Sequence, residues 1–483
     1  MSTPPLLNIA VVGCSHGEMD AIYGTLNELE KEKGYKFDLL LCCGDFQALR
    51  NCGDLRHMHC PEKFWNLKTF YKYYSGEKEA PVLTIFIGGN HESTGYLKEL
   101  PNGGWAAKNI YFMGHSNVIQ FAGLRIGGLS GIFKSVDYDR GYFERPPFAK
   151  GAIVSAYHVR NVDVLRLKNL TSDSTSKTRV NALDIMLSHD WPSGVTDHGD
   201  VNKLLAMKPY FREDIQNCKL GNPNTMNLLY ATRPNYWFSA HLHCKFAALV
   251  THKKGEEDKN SPEPTRFLAL DKPIRCREFL QTIRIRAKND RFQLEYDPTW
   301  LAILKNTDHL TKVSTGREAM PGKGTHGERW NFFPTEEEVQ EALQLFGNDL
   351  KIPENFKMTA PPHREGEQEG NVAATPYYLN PQSTEFCSKL GIKSLNKLLF
   401  DMQPDANGTP YCDIPETEEI AIPNDDDAEE DVERPVGELE GVEGLFSIDT
   451  DPTGFAPPPI RGISDQPEAK RPKMEEDSIE TID

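Results

Sequence analysis

Five short apolar runs in the first half of the chain each end in a polar turn that carries histidine, aspartate or asparagine. Short apolar runs bounded by turn signals are typical of buried β-strands. Helix-like segments such as Met19–Lys33 and Pro61–Tyr74 separate the early runs, and strands that alternate with helices predict an α/β sheet. Ligands bind such sheets beyond the carboxyl ends of the strands, where we expect all five turns to lie. The runs and turns are Leu7–Val12 with Gly13–His16, Leu39–Cys43 with Gly44–Asp45, Val82–Ile87 with Gly88–Glu92, Ile185–Leu187 with Ser188–Asp190, and Tyr236–Phe238 with Ser239–His243.

After His243 the apolar runs alternate more strongly with polar residues, which predicts further strands. A helical pattern follows at Trp300–Leu310, another begins near Thr335 with Glu338 three residues on, and a third covers Ser394–Met402. From residue 403 the chain is rich in Pro, Gly, Asp and Glu, so we expect a disordered acidic tail. The four predicted strands are Phe246–Val250, Phe267–Leu270, Phe279–Ile285 and Phe292–Tyr296.

The formal net charge of −17 argues at first against a nucleic-acid partner. Much of the acid lies in the tail, where Asp425–Asp431 is an almost continuous acidic run, so basic patches elsewhere remain compatible with RNA. No apolar run reaches the roughly 18 residues of a membrane helix, and we expect no membrane partner. Ten irregularly spaced cysteines indicate free thiols in a reducing compartment.

The polar turns hold the residue types that bind zinc, iron and manganese in proteins. Two cations about 3.5–4 Å apart can clamp the attacking and leaving oxygens of a phosphoryl displacement, and Asp45 is the natural bridging carboxylate. Taken singly, Asp45 could be a turn or capping residue, His189 a hydrogen-bonded structural residue and Cys14 a buried, unligated thiol. Their joint occurrence in five turns favours a metal site. The residues are Cys14, His16, Asp45, Asn90, His91, His189, His241 and His243.

The order of these blocks resembles the calcineurin-like metallophosphoesterase superfamily. Its pattern is Asp-x-His, Gly-Asp, Gly-Asn-His-Glu, a lone His and Gly-His-x-His. Two positions depart from it: Cys14 stands where Asp is usual, and Ala240 replaces a glycine. The resemblance implies a β-sandwich flanked by helices, while Cys14 leaves the identity and occupancy of one metal open.

Six further segments, spread over residues 7–285, are Gly44–Asn51, Gly88–Glu92, Leu124–Gly131, Tyr157–Asn161, Leu187–Pro192 and Tyr236–His243. With Cys14 in the first block, they resemble the RNA lariat debranching enzyme family, which carries Cys at that position. The resemblance implies a catalytic domain at residues 1–304, a family-specific C-terminal region at 305–402 and the tail at 403–483.

This resemblance implies hydrolysis of the 2′–5′ phosphodiester at the branch of excised intron RNA by a metal-bound hydroxide. His91 would be the general acid for the leaving 2′ oxygen, or else a residue that orients its loop. The two cations would be Fe²⁺, Zn²⁺ or Mn²⁺. His16, Asp45 and His243, with Cys14 left open, would hold one cation, and Asp45, Asn90, His189 and His241 would hold the other.

Residues 132–160 interleave basic and aromatic side chains, which suits single-stranded RNA. The resemblance implies a lariat recognition loop here, with Lys134, Tyr138, Arg140 and Arg160 as candidate RNA contacts. The alternative is a surface loop whose aromatic rings pack on the domain. The family's substrate implies the nucleus, and Lys470–Lys473 is a short basic cluster of the import-signal type.

Two other functions stay open from the residues alone. One is a phosphatase or nucleotide phosphodiesterase on the same fold, which would turn over small phosphates without preferring branched RNA. The other is a metal-free protein-binding adaptor, which would show missing ligands. The sequence does not identify a protein partner for the acidic tail.

Overall fold

The computed structural model describes residues 4–171, 182–253, 262–323, 329–366 and 372–402. Within them the strands are β1 (Leu6–Val12), β2 (Leu39–Cys42), β3 (Thr84–Phe86), β4 (Gly104–Ala107), β5 (Ile110–Phe112), β6 (Ser116–Phe121), β7 (Leu124–Leu129), β8 (Ile185–Ser188), β9 (Tyr236–Ser239), β10 (Phe246–Val250), β11 (Thr265–Ala269), β12 (Leu280–Arg286) and β13 (Leu294–Tyr296). The helices are α1 (Met19–Lys33), α2 (Phe70–Tyr74), α3 (Thr94–Leu97), α4 (Ser135–Tyr138), α5 (Lys150–Ser155), α6 (Asn161–Lys168), α7 (Val201–Met207), α8 (Phe211–Gln216), α9 (Thr225–Thr232), α10 (Pro298–Asn306), α11 (Glu336–Leu345), α12 (Pro381–Leu390) and α13 (Leu395–Asp401).

The strands form two sheets. One has the order β12-β1-β2-β3-β5-β4, and β1, β2, β3 and β5 run parallel in it. The other has the order β10-β11-β9-β8-β7-β6-β13, with β7, β8, β9 and β11 parallel. Each sheet therefore has a parallel centre whose carboxyl ends lie at one edge.

Alternate residues of the central strands face different cores. Ile9 and Val11 pack with Ile185 and Phe238 of the other sheet, whereas Ala10 packs on the α1 side. A third core joins the outer face of the second sheet to α6, α9 and α10. Because side chains alternate along a strand, each sheet buries both faces, one against its partner sheet and one against helices. The predicted β-sandwich flanked by helices is confirmed.

Most predicted elements are present, with two differences. The helix predicted at Pro61–Tyr74 is limited to α2 and a short 3₁₀ turn at Glu62–Phe64. The Asn66 side chain accepts a hydrogen bond from the Lys68 amide, and Lys68 has a positive φ of 54°, so a local turn replaces the helix. The second difference concerns the polar turns. The apolar runs predict that all five turns lie at the edge of one α/β sheet, whereas three follow strands of one sheet and two follow strands of the other.

The described residues between 305 and 402 pack on residues nearer the start of the chain. Arg50 donates to the Thr359 hydroxyl, the Tyr74 hydroxyl donates to the Ala360 carbonyl, and the Gln382 amide pairs with the backbone of Trp105. Thr335 and Glu338 form the expected capping box at α11. Residues 403–483, with the predicted tail and Lys470–Lys473, lie outside the described residues. No described helix has the length and apolar character needed to cross a membrane.

Candidate metal centre

The five polar turns meet where the carboxyl edges of the two sheets face each other. His16, Asp45, His241 and His243 all have positive φ values, between 45° and 66°. This left-handed backbone is uncommon for residues with a Cβ and is typical of functional sites. Gly89 permits the closest approach, because a Cβ there would lie 2.2 Å from Asp45 Oδ1. The local strain and the glycine bring the side chains of separate turns within contact of one another.

The first half of the centre consists of Cys14, His16, Asp45 and His243. One possible ligand atom from each lies within 4.8 Å of those of the other three. His16 Nε2 lies 3.2 Å from His243 Nε2 and 3.8 Å from Asp45 Oδ2. Cys14 is fully buried, and its Sγ accepts a hydrogen bond of 3.2 Å from the His241 amide. The structure thus places Cys14 at the centre, with its sulfur among the candidate ligands.

The second half lies on the other side of the same carboxylate. His189 Nε2 is 3.3 Å from Asp45 Oδ1 and 3.1 Å from Asn90 Oδ1. The rings of His189 and His241 have their centroids 5.0 Å apart. Asp45 therefore presents one oxygen to each half, which is the arrangement expected of a bridging carboxylate.

The donor set fits two divalent cations. Asp45 Oδ2 and His243 Nδ1 are buried yet have no hydrogen-bond partner among the described residues, which is costly unless a ligand satisfies them. Burial lowers the pKa of His16 to about 3 and that of His243 well below its usual value, so both imidazoles are neutral, as ligands must be. Burial alone would raise the pKa of Asp45, but the surrounding histidines, led by His189, hold it well below its usual value.

His91 lies at the mouth of this centre. Its backbone amide donates to Asp45 Oδ1 at 2.8 Å, and its ring centroid lies 5.8 Å from that of His16. The side chain is half-buried rather than enclosed. A substrate atom could therefore reach the imidazole while its phosphate lies against the ligand cluster.

Comparisons with known proteins agree with this geometry. Residues 7–245 match calcineurin-like phosphoesterases, and residues 262–395 match the lariat debranching enzyme C-terminal domain. The lariat debranching enzyme of Caenorhabditis elegans is 50% identical over 483 residues, covering 99% of this chain and 91% of that protein. The chain belongs to the lariat debranching enzyme family. As a member of this family, it is a metal-dependent phosphoesterase.

Two other lariat debranching enzymes are similar to this chain at slightly lower sequence identity. The human lariat debranching enzyme is 47% identical over 392 residues, covering 81% of this chain and 70% of that protein. Lariat debranching enzyme A of Xenopus laevis is 48% identical over 392 residues, covering 81% and 71%. A solved structure from Thermus thermophilus covers 59% of this chain and 100% of its own, with 14% identity and a TM-score of 0.31, a likeness too low to carry an argument.

Three residues that the sequence argument did not assign also belong to the site. Glu92 accepts from the amides of Phe46, Gln47 and Gly89 at 2.7–2.9 Å and so joins the second and third turns. Burial, with Asp45 nearby, raises its pKa to about 8. Gln47 contacts His16, and the buried Lys272, which follows β11, adds to the effect of burial in lowering the pKa of His16. Glu92 stands within the Gly-Asn-His-Glu block, whereas Lys272 carries no sequence signal.

The segment 132–160 is more integrated into the fold than a surface loop. Lys134, Tyr138 and Arg140 are half-buried, and Arg140 forms an ion pair of 3.0 Å with Asp137. Arg160 is fully buried, so the prediction that it contacts RNA is wrong in this structure.

Arg160 instead belongs to an internal cluster that we name the Glu144 cluster, formed by Lys98, Glu144, Ser155 and Arg160. Glu144 accepts from Arg160, from the Ser155 hydroxyl, and from Lys98 at 3.1 Å. Arg160 also donates to the His158 and Gly141 carbonyls at 3.0 and 3.2 Å. These hydrogen bonds all join Arg160 to interior groups, because the segment folds around its guanidinium.

Proposed function

We propose that this chain hydrolyses the 2′–5′ phosphodiester at the branch of lariat RNA. The observation that carries the proposal is the convergence of all five turns on Asp45 within a chain of the lariat debranching enzyme family. The complete set of ligand types argues against a metal-free adaptor, since nitrogen, oxygen and sulfur donors are all at the centre.

Two groups of residues would hold the cations. Cys14, His16, Asp45 and His243 would hold one, and Asp45 with Asn90, His189 and His241 would hold the other. Neutral imidazoles with a single carboxylate suit Fe²⁺, Zn²⁺ or Mn²⁺, and the thiol favours Zn²⁺ or Fe²⁺ in the first position. Bound there, such cations supply positive charge for the phosphate oxygens and a water of lowered pKa.

His91 is the proposed general acid. Water that has released one proton to solvent attacks phosphorus, the bond from phosphorus to the 2′ oxygen breaks, the phosphate stays on the 5′ oxygen, and protonated His91 gives its proton to the 2′ oxygen. Positioned acids of this kind contribute about 10²–10⁴-fold. We expect His91→Ala to lower turnover by roughly that factor while metal content stays at the wild-type value. Wild-type turnover with both metals bound would contradict the acid role.

Lys134, Tyr138 and Arg140 remain proposed RNA contacts, since part of each side chain is exposed. Deleting the whole segment would disrupt the buried Glu144 cluster, so point variants are the sharper test. We expect Lys134→Ala and Arg140→Ala to reduce turnover of branched RNA more than that of a small aryl phosphodiester. Equal loss on both substrates would contradict RNA contact.

The decisive experiment compares substrates under defined metals. The purified protein is reconstituted with Fe²⁺, Zn²⁺ or Mn²⁺ and given a synthetic RNA with one 2′–5′ branch, a linear RNA of the same composition, or a small phosphomonoester. We expect cleavage at the branch alone. Comparable cleavage of linear RNA would indicate a general phosphodiesterase, and turnover of the monoester alone would indicate a phosphatase.

A nuclear location is also proposed, from the substrate and from the basic cluster Lys470–Lys473. A fluorescent fusion with these four residues intact should enrich in the nucleus. Uniform distribution of the intact fusion would contradict this part of the proposal.

A further inference from the structure

Two histidines of the candidate centre differ in what holds their outer ring nitrogen. His189 Nδ1 lies 2.8 Å from the backbone carbonyl oxygen of Cys43. A carbonyl oxygen only accepts, so Nδ1 must carry the proton, which leaves the lone pair of a neutral ring on Nε2. His189 is therefore fixed by the backbone in the tautomer that a cation near Asp45 requires.

His16 meets a side chain at the same position. Its Nδ1 lies 3.1 Å from Nε2 of Gln47, while its own Nε2 faces Asp45 and His243. The nitrogen and oxygen of an amide occupy equivalent places, and a half-turn about its last bond exchanges them. As placed, the amide nitrogen faces Nδ1 and can only donate to it, whereas the amide turned so that its oxygen faces His16 accepts the Nδ1 proton and leaves the Nε2 lone pair facing Asp45. Outer partners of this kind fix the tautomer of metal-binding histidines.

The Gln47 backbone is held in a conformation that glutamine rarely adopts. Its φ is 54°, in the left-handed region, which costs about 1–2 kcal/mol for a residue with a Cβ. Its amide donates to Glu92 at 2.8 Å, and the residue is only 8% exposed. Strain that the surroundings maintain beside a functional site indicates that the placement of this side chain matters.

We propose that Gln47 is a positioning residue that sets the Nδ1-protonated tautomer of His16 and thereby the cation affinity of the Cys14, His16, Asp45 and His243 cluster. The inference rests on the proposed function in one respect, that this cluster holds a divalent cation. The other half of the centre does not depend on Gln47, because the Cys43 carbonyl performs the same task for His189.

Two variants at position 47 distinguish the effect of the side-chain contact with His16 from the effect of the left-handed backbone. Gln47→Asn suits the left-handed conformation but is one methylene too short to reach His16, whereas Gln47→Glu keeps the length and can only accept. Equilibrium dialysis against Mn²⁺ and Zn²⁺, read as ions bound per chain, should show about 10–100-fold weaker binding at one of two sites in Gln47→Asn. Gln47→Glu should bind at least as tightly as wild type. Gln120→Asn is the matched control, since it shortens a glutamine bonded to Asp297, away from the centre.

A second measurement is needed because Gln47→Glu also adds a negative charge, which by itself raises the affinity for cations. Nitrogen-15 NMR of the metal-free protein distinguishes the two histidine tautomers, and we expect Nδ1-protonated His16 in wild type and Gln47→Glu but not in Gln47→Asn. Unchanged cation affinity in Gln47→Asn, or an Nε2-protonated His16 in wild type, would overturn the inference. If wild type bound no divalent cation, the proposed function would fail, and the tautomer measurement would still decide the role of Gln47.

Discussion

Residues between Cys14 and His243 form two buried polar clusters that differ in how their polar atoms are satisfied. In the Glu144 cluster, every buried nitrogen and oxygen of the four side chains has a hydrogen-bond partner among the described residues. At the candidate metal centre, Asp45 Oδ2 and His243 Nδ1 have none. Unsatisfied buried polar atoms destabilise a protein, so their presence on metal-ligand side chains favours a site that binds an external ligand. The difference separates a group of charges that supports the fold from a group that binds cations.

The largest expected effect comes from removing the shared carboxylate. Asp45→Asn should lose both cations and lower turnover of branched RNA by about 10⁴-fold, equivalent to about 5.5 kcal/mol in the activation barrier. Metal analysis per chain and initial rates measure this change. The metal-free variant should also be less stable than the metal-free wild type at pH 7, because the histidines around Asp45 favour its charged form. If Asp45→Asn retained two ions per chain, the candidate metal centre would not need this carboxylate to bind cations, and the contrast with the Glu144 cluster would be wrong.

Next in size is the loss of the charge on Glu144. Its burial would raise its pKa, but Lys98 and Arg160 outweigh burial and lower the pKa from 4.5 to about 2. A shift of this size corresponds to about 3 kcal/mol of stability at neutral pH. Glu144→Gln should lower the free energy of unfolding at pH 7 by about that amount, measured in urea, with metal content unchanged. The exposed Glu341→Gln is the control and should change little. Loss of metal in Glu144→Gln would show that the two clusters are coupled.

Removing cations with a chelator should lower stability through the candidate metal centre and not through the Glu144 cluster. For each site, removing a cation present at about 100 times its dissociation constant lowers stability by about 2.7 kcal/mol. We expect wild type and Glu144→Gln to lose this amount alike in thermal or urea unfolding, while Asp45→Asn does not respond. A response in Asp45→Asn would place cation binding somewhere other than this carboxylate.

The smallest expected effect is the loss, at low pH, of the stability that charged Glu144 contributes. The folded pKa of Glu144 lies below its ordinary value, so its contribution is complete above about pH 4.5 and is lost as pH falls towards 2. The stability difference between wild type and Glu144→Gln should therefore narrow on acidification through this window. Urea titrations at pH 7, 4.5 and 3.5 measure it. A difference that stayed constant would mean that Glu144 is not stabilised as a charged group.

Much of the fold could be predicted because its central strands carry strong local signals. The strands that precede the five turns lie within a few residues of the predicted runs, and α1 coincides with Met19–Lys33. Errors occurred where a local polar turn replaced a periodic pattern, as at Lys68 between Pro61 and Tyr74. In the segment 132–160 the alternation of basic and aromatic residues did not distinguish outward from inward side chains, and Arg160 was assigned to the wrong side.

The candidate site could be predicted in composition but only partly in structure. All eight residues named from the turns lie at or beside the centre, because each follows a strand at a carboxyl edge. Gln47 and Lys272 were missed as functional residues. Gln47 acts through His16, which is distant in the chain, and Lys272 reaches the centre only because β11 lies parallel beside β9.

The sequence by itself determined which residue types follow which strands, since turn chemistry and apolar periodicity are local properties. Only the tertiary structure decided that two sheets, rather than one, deliver the five turns to Asp45. It also decided which buried charges neutralise one another and which are left for cations. The physical reason is that desolvation, hydrogen-bond satisfaction and histidine tautomers depend on neighbours that are distant in the chain and become adjacent only when it folds.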